Sequence, residues 1–212
     1  MNNHGTYIKA TGIWYKNEIN TIKKKADVPL QPIFEAFMNA WESILDRFSK
    51  EHFKNGSIEI QVFYLQNLFS KENGICDFEK IVVSDNGVGL DHNSYQRLIN
   101  LRDDTKRHSN LGTGRIQYIH FFEHTTIDSI YKENGLYKKR KVTLSKNESF
   151  LRENAILRLD EDGNSTETNL KTNVTFEVPL DDKDFYSSLS VQILKDEIVK
   201  HFLSLFCEYK SQ

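Results

Sequence analysis

The chain has 212 residues, 38% hydrophobic and 27% charged, which suits one large domain with a buried core. Lys and Arg (28) nearly balance Asp and Glu (30) at a formal net charge of -2, so the overall charge favours neither nucleic acid nor an acidic membrane surface. Two cysteines exclude a disulfide framework, and neither a membrane-spanning apolar stretch nor a signal-peptide core occurs. We therefore expect a cytoplasmic protein. Nucleic-acid contact stays open only at two basic runs, Lys23–Lys25 and Lys138–Lys141, and such runs are usually solvated.

The N-terminal part divides into an arm and the start of a domain. Residues 1–30 are polar with scattered aromatic side chains, and we interpret them as an arm that is either a docked extra strand or a dimer strap. Residues 31–212 are interpreted as a single domain. It opens with the strongest helical pattern of the chain, over residues 31–50, where apolar residues recur every three or four positions. Pro32 suits the first turn of that helix.

The rest of the chain is predicted to alternate between short strands and helices. The early elements are strands over 57–65 and 78–84, a helix over 92–103, a polar loop over 104–113 and an aromatic-rich helix over 114–123. The late elements are strands near 124–131, 136–145, 154–160 and 172–178, and an amphipathic helix over 190–208. The hairpin-like spacing of the late strands indicates a mixed, mostly antiparallel sheet. Helices on one face of it give an α+β fold, a two-layer sandwich.

The first helix carries a polar stripe beside its apolar face. Glu35, Asn39, Glu42 and Asp46 share an arc about 60° wide when each residue turns the helix by about 100°. A carboxylate and an amide four residues apart face a common point. The stripe borders the apolar arc, which favours a cleft position over the alternative of a fully solvated acidic face.

A first pair of glycines follows a strand. Asp85-x-Gly87-x-Gly89 comes directly after the β-branched run that ends at Ser84. Glycines at this spacing let backbone approach a ligand closely, and a carboxylate at a strand end accepts hydrogen bonds from a donor such as the exocyclic amine of adenine. A plain turn is the alternative.

A second pair of glycines precedes a helix. Gly112-Thr113-Gly114-Arg115 stands where unpaired N–H groups of a helix start favour an anion. Arg115 and Lys106 add cations that suit phosphate. The spacing matches neither a Walker phosphate-binding loop nor a Rossmann fingerprint. Ordinary capping of a helix is the alternative.

The order of these motifs resembles that of the GHKL ATPases, the Bergerat-fold superfamily. Glu35-x-x-x-Asn39-Ala40 is similar to its N-box, Asp85-x-Gly87-x-Gly89 to its adenine box and Gly112-x-Gly114 to its lid-side box. Thr172 opens a strand that resembles the late strand of the family near adenine. The resemblance spans roughly residues 31–180. The lid-side box is shorter in glycines than in many members, and Glu42 stands where an aspartate is common.

The resemblance implies ATP and Mg²⁺ as cofactors and a role for each motif residue. Glu35 is implied as the general base that activates water, and Asn39 as the Mg²⁺ ligand. Asp85 is implied as the acceptor for the adenine amine, with Thr172 helping through a water. The remaining implied ATP-binding residues are Gly87, Gly89, Lys106, Gly112, Thr113, Gly114 and Arg115. Residues 102–113 are implied as the lid.

A glutamate in the N-box resembles the hydrolysing branch, which includes chaperones, mismatch-repair proteins and MORC-like proteins. That branch implies a nucleotide-switch module of a larger protein, an ATP-dependent homodimer, and a lysine or arginine supplied by a further domain or a partner chain. We accordingly expect binding of ATP and ADP but slow hydrolysis by this chain alone. A module that binds nucleotide for signalling or scaffolding without hydrolysis is one alternative.

A zinc hydrolase is the alternative from another class. His120-x-x-Glu123-His124 matches an inverted zinc-peptidase motif, with Glu197 as a candidate third ligand. Two histidines share a zinc in this way when they lie on one helix. Thr125, Thr126 and Ile127 follow at once and favour a strand, which argues against that arrangement.

Overall fold

The computed structural model describes residues 5–10, 12–65, 76–100 and 114–210. Within them, seven strands form one sheet in the order β1-β6-β5-β4-β7-β3-β2, and every strand pair in it is antiparallel. The strands are β1 (Thr6–Lys9), β2 (Ile58–Leu65), β3 (Asp77–Asp85), β4 (Phe122–Glu133), β5 (Leu136–Leu144), β6 (Ala155–Asn164) and β7 (Lys171–Pro179).

Helices alternate with these strands along the described part of the chain. They are α1 (Tyr15–Thr21), α2 (Gln31–Phe48), α3 (His92–Ile99), α4 (Gly114–Phe121), α5 (Glu148–Arg152), α6 (Lys183–Ser187), α7 (Val191–His201) and α8 (Leu203–Lys210), with a short 3-10 helix at Phe53–Asn55. None of the described helices is both long and apolar enough to cross a membrane.

One core joins the sheet to the helices. Ile81 and Val83 of β3 lie opposite Phe176 and Val174 of β7, and all four side chains are buried. The same hydrophobic cluster contains residues of α2, α4, α6 and α7, among them Ile33, Phe37, Ile116, Tyr186 and Leu194. The predicted two-layer α+β architecture is therefore confirmed.

The helices predicted over 31–50 and 92–103 end earlier in the structure, at Phe48 and at Ile99. Two other predicted helices differ for reasons that the sheet and the core explain. The helix predicted over 114–123 stops at Phe121, because Phe122 already pairs with Pro179 in the sheet. The helix predicted over 190–208 is two helices, α7 and α8, separated at Phe202. Phe202 is buried and stacks on Phe37 of α2 at 4.7 Å between ring centroids, so tertiary packing overrides continuous helical periodicity there.

The described part of the N-terminal arm belongs to the same sheet and core. β1 pairs with β6 at the sheet edge, with Thr6 opposite Leu159, which confirms the docked-strand interpretation for Thr6–Lys9. Tyr15 of α1 is only 2% exposed, and its backbone N–H donates to the Asn154 side chain at 3.0 Å. Ile19 joins the main hydrophobic cluster. The arm therefore packs within the chain through its strand and through the helix that follows it.

Candidate active site at the ends of the central strands

The Glu35 carboxylate lies beside the start of α4. Its Oε1 accepts a hydrogen bond from Gln31 Nε2 at 2.8 Å. A Cβ atom added to Gly114 would lie 3.0 Å from Glu35 Cδ, so the first residue of α4 touches this side chain. The opening turn of a helix presents N–H groups that have no partner within the helix. The Glu35 carboxylate therefore lies next to the N-terminal end of α4, which attracts anions.

The Asn39 amide contacts the middle of the same helix. Its Nδ2 donates to the Tyr118 hydroxyl at 3.0 Å. Tyr118 is buried and packs edge-on against Phe176 of β7 at 5.1 Å, which fixes the position of the hydroxyl. Burial raises the pKa of Tyr118, so the hydroxyl stays neutral. Because the amide nitrogen faces Tyr118, the amide oxygen faces away from it.

Asp85 is a buried carboxyl at the end of β3. Its side chain is hydrogen-bonded by Gly87 N at 2.8 Å and by Ser43 of α2. Burial raises the pKa of Asp85 to about 7, because the loss of solvation outweighs the two hydrogen bonds, which act in the opposite direction. Asp85 is thus only partly ionised at neutral pH, and it can accept hydrogen bonds in either form.

The loop after β3 contains the two predicted glycines, Gly87 and Gly89, and neighbouring atoms leave no room for a side chain at either position. A Cβ atom on Gly87 would lie 2.6 Å from the Ser43 carbonyl carbon, so the loop lies directly on α2. Gly89 has a φ of +84°, and its Cβ would lie 2.7 Å from the Ile130 carbonyl oxygen of β4. Val88 N donates to the Ser43 carbonyl at 3.2 Å. The loop is therefore wedged between α2 and the sheet.

A polar row crosses the sheet at this level. Asp85 lies opposite Thr172 of β7, Thr172 lies opposite Ser129 of β4, and Ser129 lies opposite Arg140 of β5. The hydroxyls of Ser129 and Thr172 are 3.0 Å apart. Arg140 is buried and donates to the Leu90 carbonyl at 2.9 Å. The basic run at Lys138–Lys141 is therefore not uniformly solvated.

Five of the predicted site residues are neighbours in the structure, through two direct contacts and one pairing between strands. Glu35 touches Gly114, and Asp85 stands in line with Thr172 and is bonded to Gly87. Three further predicted residues, Lys106, Gly112 and Thr113, lie outside the described residues.

Arg115 is buried and has a contact that the sequence does not predict. Its NH1 donates to the Arg97 carbonyl of α3 at 2.7 Å. This bond joins α4 to α3. Contact of Arg115 with phosphate stays a prediction.

Sequence reasoning missed the partners of the predicted residues: Ser43, Tyr118, Ser129 and Arg140. A signal existed for two of them. Ser43 continues the four-residue spacing of Glu35 and Asn39. Ser129 occupies a core-facing position in the period-two alternation of β4 that also contains Thr125 and Ile127.

The structure contradicts the arrangement that the zinc-hydrolase alternative requires. His120 lies near the end of α4 with Nε2 2.6 Å from the Ile22 carbonyl oxygen, whereas His124 lies in β4. The two rings therefore do not share a helix. Glu197 is on α7, where it pairs with Lys200. Among the described residues, no three His, Cys, Asp or Glu side chains are grouped so that they hold a metal ion.

Comparison with known proteins gives a distant likeness only. No family model matches the sequence, and no curated protein matches it. Two structures of the ATPase region of Saccharomyces cerevisiae topoisomerase II are similar to this chain, and one of them is bound to ICRF-187 (dexrazoxane). Each is 15% identical to this chain at a TM-score of 0.46, and the alignment covers 74% of this chain and 42% of the other.

The ATPase and transducer domains of DNA topoisomerase II from Balamuthia mandrillaris share 19% identity at a TM-score of 0.43, over 74% of this chain and 41% of that one. The chain thus spans less than half the length of these structures. At such TM-scores the likeness carries no argument about activity.

Proposed function

We propose that residues 31–212 form a GHKL-type domain that binds ATP with Mg²⁺ and hydrolyses it slowly, as the nucleotide switch of a larger cytoplasmic protein. One observation carries the proposal. The buried Asp85 carboxyl stands beside Thr172 at the end of the central strands, in a loop whose Gly87 leaves no room for a side chain. Gly87 N and Ser43 already donate to this carboxyl, and a carboxylate can accept further hydrogen bonds, so a purine amine would be an additional donor.

The purine ring and the phosphates of ATP would lie beside different turns of α2. Asp85 and Thr172 would receive the purine next to Ser43, two helical turns from Glu35. The start of α4 at Gly114 would face the phosphates, together with the residues predicted for this task, Lys106, Gly112, Thr113 and Arg115. The contact between Gly114 and Glu35 supports this placement.

The Asn39 amide would hold Mg²⁺ through its oxygen, the atom that faces away from Tyr118. Protein sites for Mg²⁺ commonly use one or two oxygen ligands, with phosphates and water completing the shell, so one amide is sufficient. When bound, the ion neutralises phosphate charge. Glu35, held by Gln31, would orient and deprotonate the attacking water.

Hydrolysis by the chain alone is expected to be slow. Catalysis of phosphoryl transfer depends on cations placed against the transferred phosphate. We propose that a lysine or arginine from a further domain or a partner chain supplies one, and that ATP promotes homodimer formation. These two proposals rest on the branch of the superfamily that the Glu35 motif resembles.

Calorimetry with ATP and ADP in excess Mg²⁺ tests the proposal. We expect the wild type to bind both nucleotides and Asp85→Ala to lose at least about tenfold in affinity, because a hydrogen bond to a charged group is removed. Glu35→Gln should retain ADP affinity but lower single-turnover phosphate release by at least about 100-fold. Asp196→Ala, at an exposed position of α7, is the matched control. Folded wild-type protein that gives no heat with either nucleotide rules out the proposal.

A further inference from the structure

Ser129 lies at the centre of the polar row and is fully buried. Its Oγ accepts a hydrogen bond from Leu90 N at 2.8 Å and lies 3.1 Å from the Lys171 carbonyl oxygen, to which it donates. The same Oγ is 3.0 Å from Thr172 Oγ1. One serine hydroxyl therefore joins the end of the 85–90 loop to the first two residues of β7.

The proton count of this cluster fixes the direction of its last bond. A serine hydroxyl has one proton, and a carbonyl oxygen only accepts. When the Ser129 proton goes to the Lys171 carbonyl, the contact between the two hydroxyls forms only if Thr172 donates to Ser129. Thr172 has then used its own proton, so its oxygen presents only lone pairs to a ligand.

We propose that Ser129 is a positioning residue for base specificity: by taking the Thr172 proton it makes Thr172 an acceptor, so the site favours purines with an amine at position 6 over those with a carbonyl. This inference rests on the proposed function. Asp85 and Thr172 are adjacent in the sheet, so two acceptors then face one ligand edge.

The selection also passes through a bridging water. A water that donates to Asp85 and to Thr172 has used both protons, so it only accepts from the base. A 6-amino group satisfies that water, whereas a 6-carbonyl leaves two acceptors facing each other. Removing Ser129 lets Thr172 donate instead, and the discrimination weakens.

Calorimetry with ADP and with inosine diphosphate in excess Mg²⁺ measures this effect. At a pH of about 8, above the Asp85 pKa of about 7, most of that carboxyl is ionised in the wild type. We expect the wild type to prefer ADP and Ser129→Ala to lower the ADP-to-IDP affinity ratio by about tenfold, the value of one misplaced hydrogen bond. Ser145→Ala is the matched control, because Ser145 is equally buried and its hydroxyl accepts a hydrogen bond from Asn147 N, outside the polar row.

A double-mutant cycle separates the role of Ser129 from loss of structure. Thr172→Val should lower the same ratio, and Ser129→Ala in that background should lower it no further, since Ser129 acts through Thr172. If Ser129→Ala does not fold, Thr172→Val and Thr172→Ser decide: the valine variant should lose the preference and the serine variant should keep it.

The outcomes distinguish the two proposals. If folded Ser129→Ala or Thr172→Val keeps the wild-type ratio of ADP affinity to IDP affinity, the inference is overturned. The proposal that the domain binds ATP is not affected by that result. Wild type that binds ADP and IDP equally also overturns it. Folded wild type that binds neither nucleotide overturns the proposed function, and the inference falls with it.

Discussion

A single carboxyl, Asp85, sets how the candidate site responds to pH. Its folded pKa of about 7 lies well above its ordinary value of 3.8, because burial penalises the charged form. Below about pH 7 the group is therefore largely protonated, and a protonated carboxyl is a weaker acceptor for an amine. A bound amine favours the ionised form.

Nucleotide affinity should therefore increase with pH. If ATP binds the ionised form of Asp85, its affinity rises by about tenfold between pH near 6 and pH near 8, since one proton leaves a group with a pKa of about 7. Calorimetry at matched ionic strength gives the affinities. Asp85→Asn keeps the shape of the side chain without the titration, so its weaker binding should not follow this increase. An equal pH slope in the two proteins would assign the effect to another group.

The same pKa shift predicts an effect on stability, with a definite sign. Between pH 3.8 and about 7 the folded state binds the Asp85 proton more tightly than the unfolded state. The contribution of Asp85 to the free energy of unfolding is thus largest below the unfolded pKa and falls as pH rises to about 7. Its size is on the order of 4 kcal/mol. Thermal unfolding should show Asp85→Asn gaining stability relative to wild type from about pH 4 to about pH 7, with little further change above that pH.

At the scale of elements, α2 shows which features of a helix the sequence predicts and which depend on its packing partner. Its position and its apolar face follow from periodicity alone, and so does the place of Glu35 and Asn39 beside that face. The predicted stripe continues through Glu42 and Asp46, whereas the contacts to the loop after β3 are made by Ser43 and Arg47. Contacts at four-residue intervals follow a ridge that is inclined to the helix axis. The direction of that ridge depends on which element crosses α2, which helical periodicity does not specify.

The loop between β3 and α3 offers a test of this packing. Gly87→Ala places a Cβ atom 2.6 Å from the Ser43 carbonyl carbon, so the loop must move away from α2. We expect a loss of about 2 kcal/mol, a decrease in Tm of roughly 4 to 8 °C, and weaker ATP binding because Asp85 moves with the loop. Calorimetry and thermal unfolding measure both effects.

Gly163→Ala provides the comparison. A Cβ at Gly163 meets no atom within 4 Å, so stability and ATP affinity should stay at their wild-type values. Equal behaviour of the two alanine variants would mean that the loop does not depend on its contact with α2.

At the scale of the whole molecule, strand order is the feature that periodicity could not provide. The spacing of the late strands predicts hairpin neighbours, and β4, β5 and β6 do pair in sequence. β7, however, lies between β4 and β3, and this insertion aligns Thr172 with Asp85. Such long-range pairing depends on how complete faces bury one another, and no local pattern encodes it. The alignment of the site was therefore inferred from the order of motifs, and only the folded sheet explains it.

The N-terminal arm provides the last prediction, because a strap of a dimer and a part of the monomer core respond differently to mutation. Tyr15 is 2% exposed and lies in the main hydrophobic cluster, whereas the adjacent Trp14 is 70% exposed. We expect Tyr15→Ala to lose about 3 kcal/mol and to lower Tm by roughly 6 to 12 °C, since it leaves a cavity and removes the contact of the Tyr15 hydroxyl with the Ile99 carbonyl.

Trp14→Ala should leave Tm unchanged, because its ring is already in water in the folded chain. Thermal unfolding at several protein concentrations, without nucleotide, completes the test. If the arm stabilises the chain to which it belongs, the decrease for Tyr15→Ala is the same at every concentration, since no association precedes folding. A decrease that shrinks on dilution, together with an effect of Trp14→Ala, would instead show that the arm contributes its energy across a dimer interface.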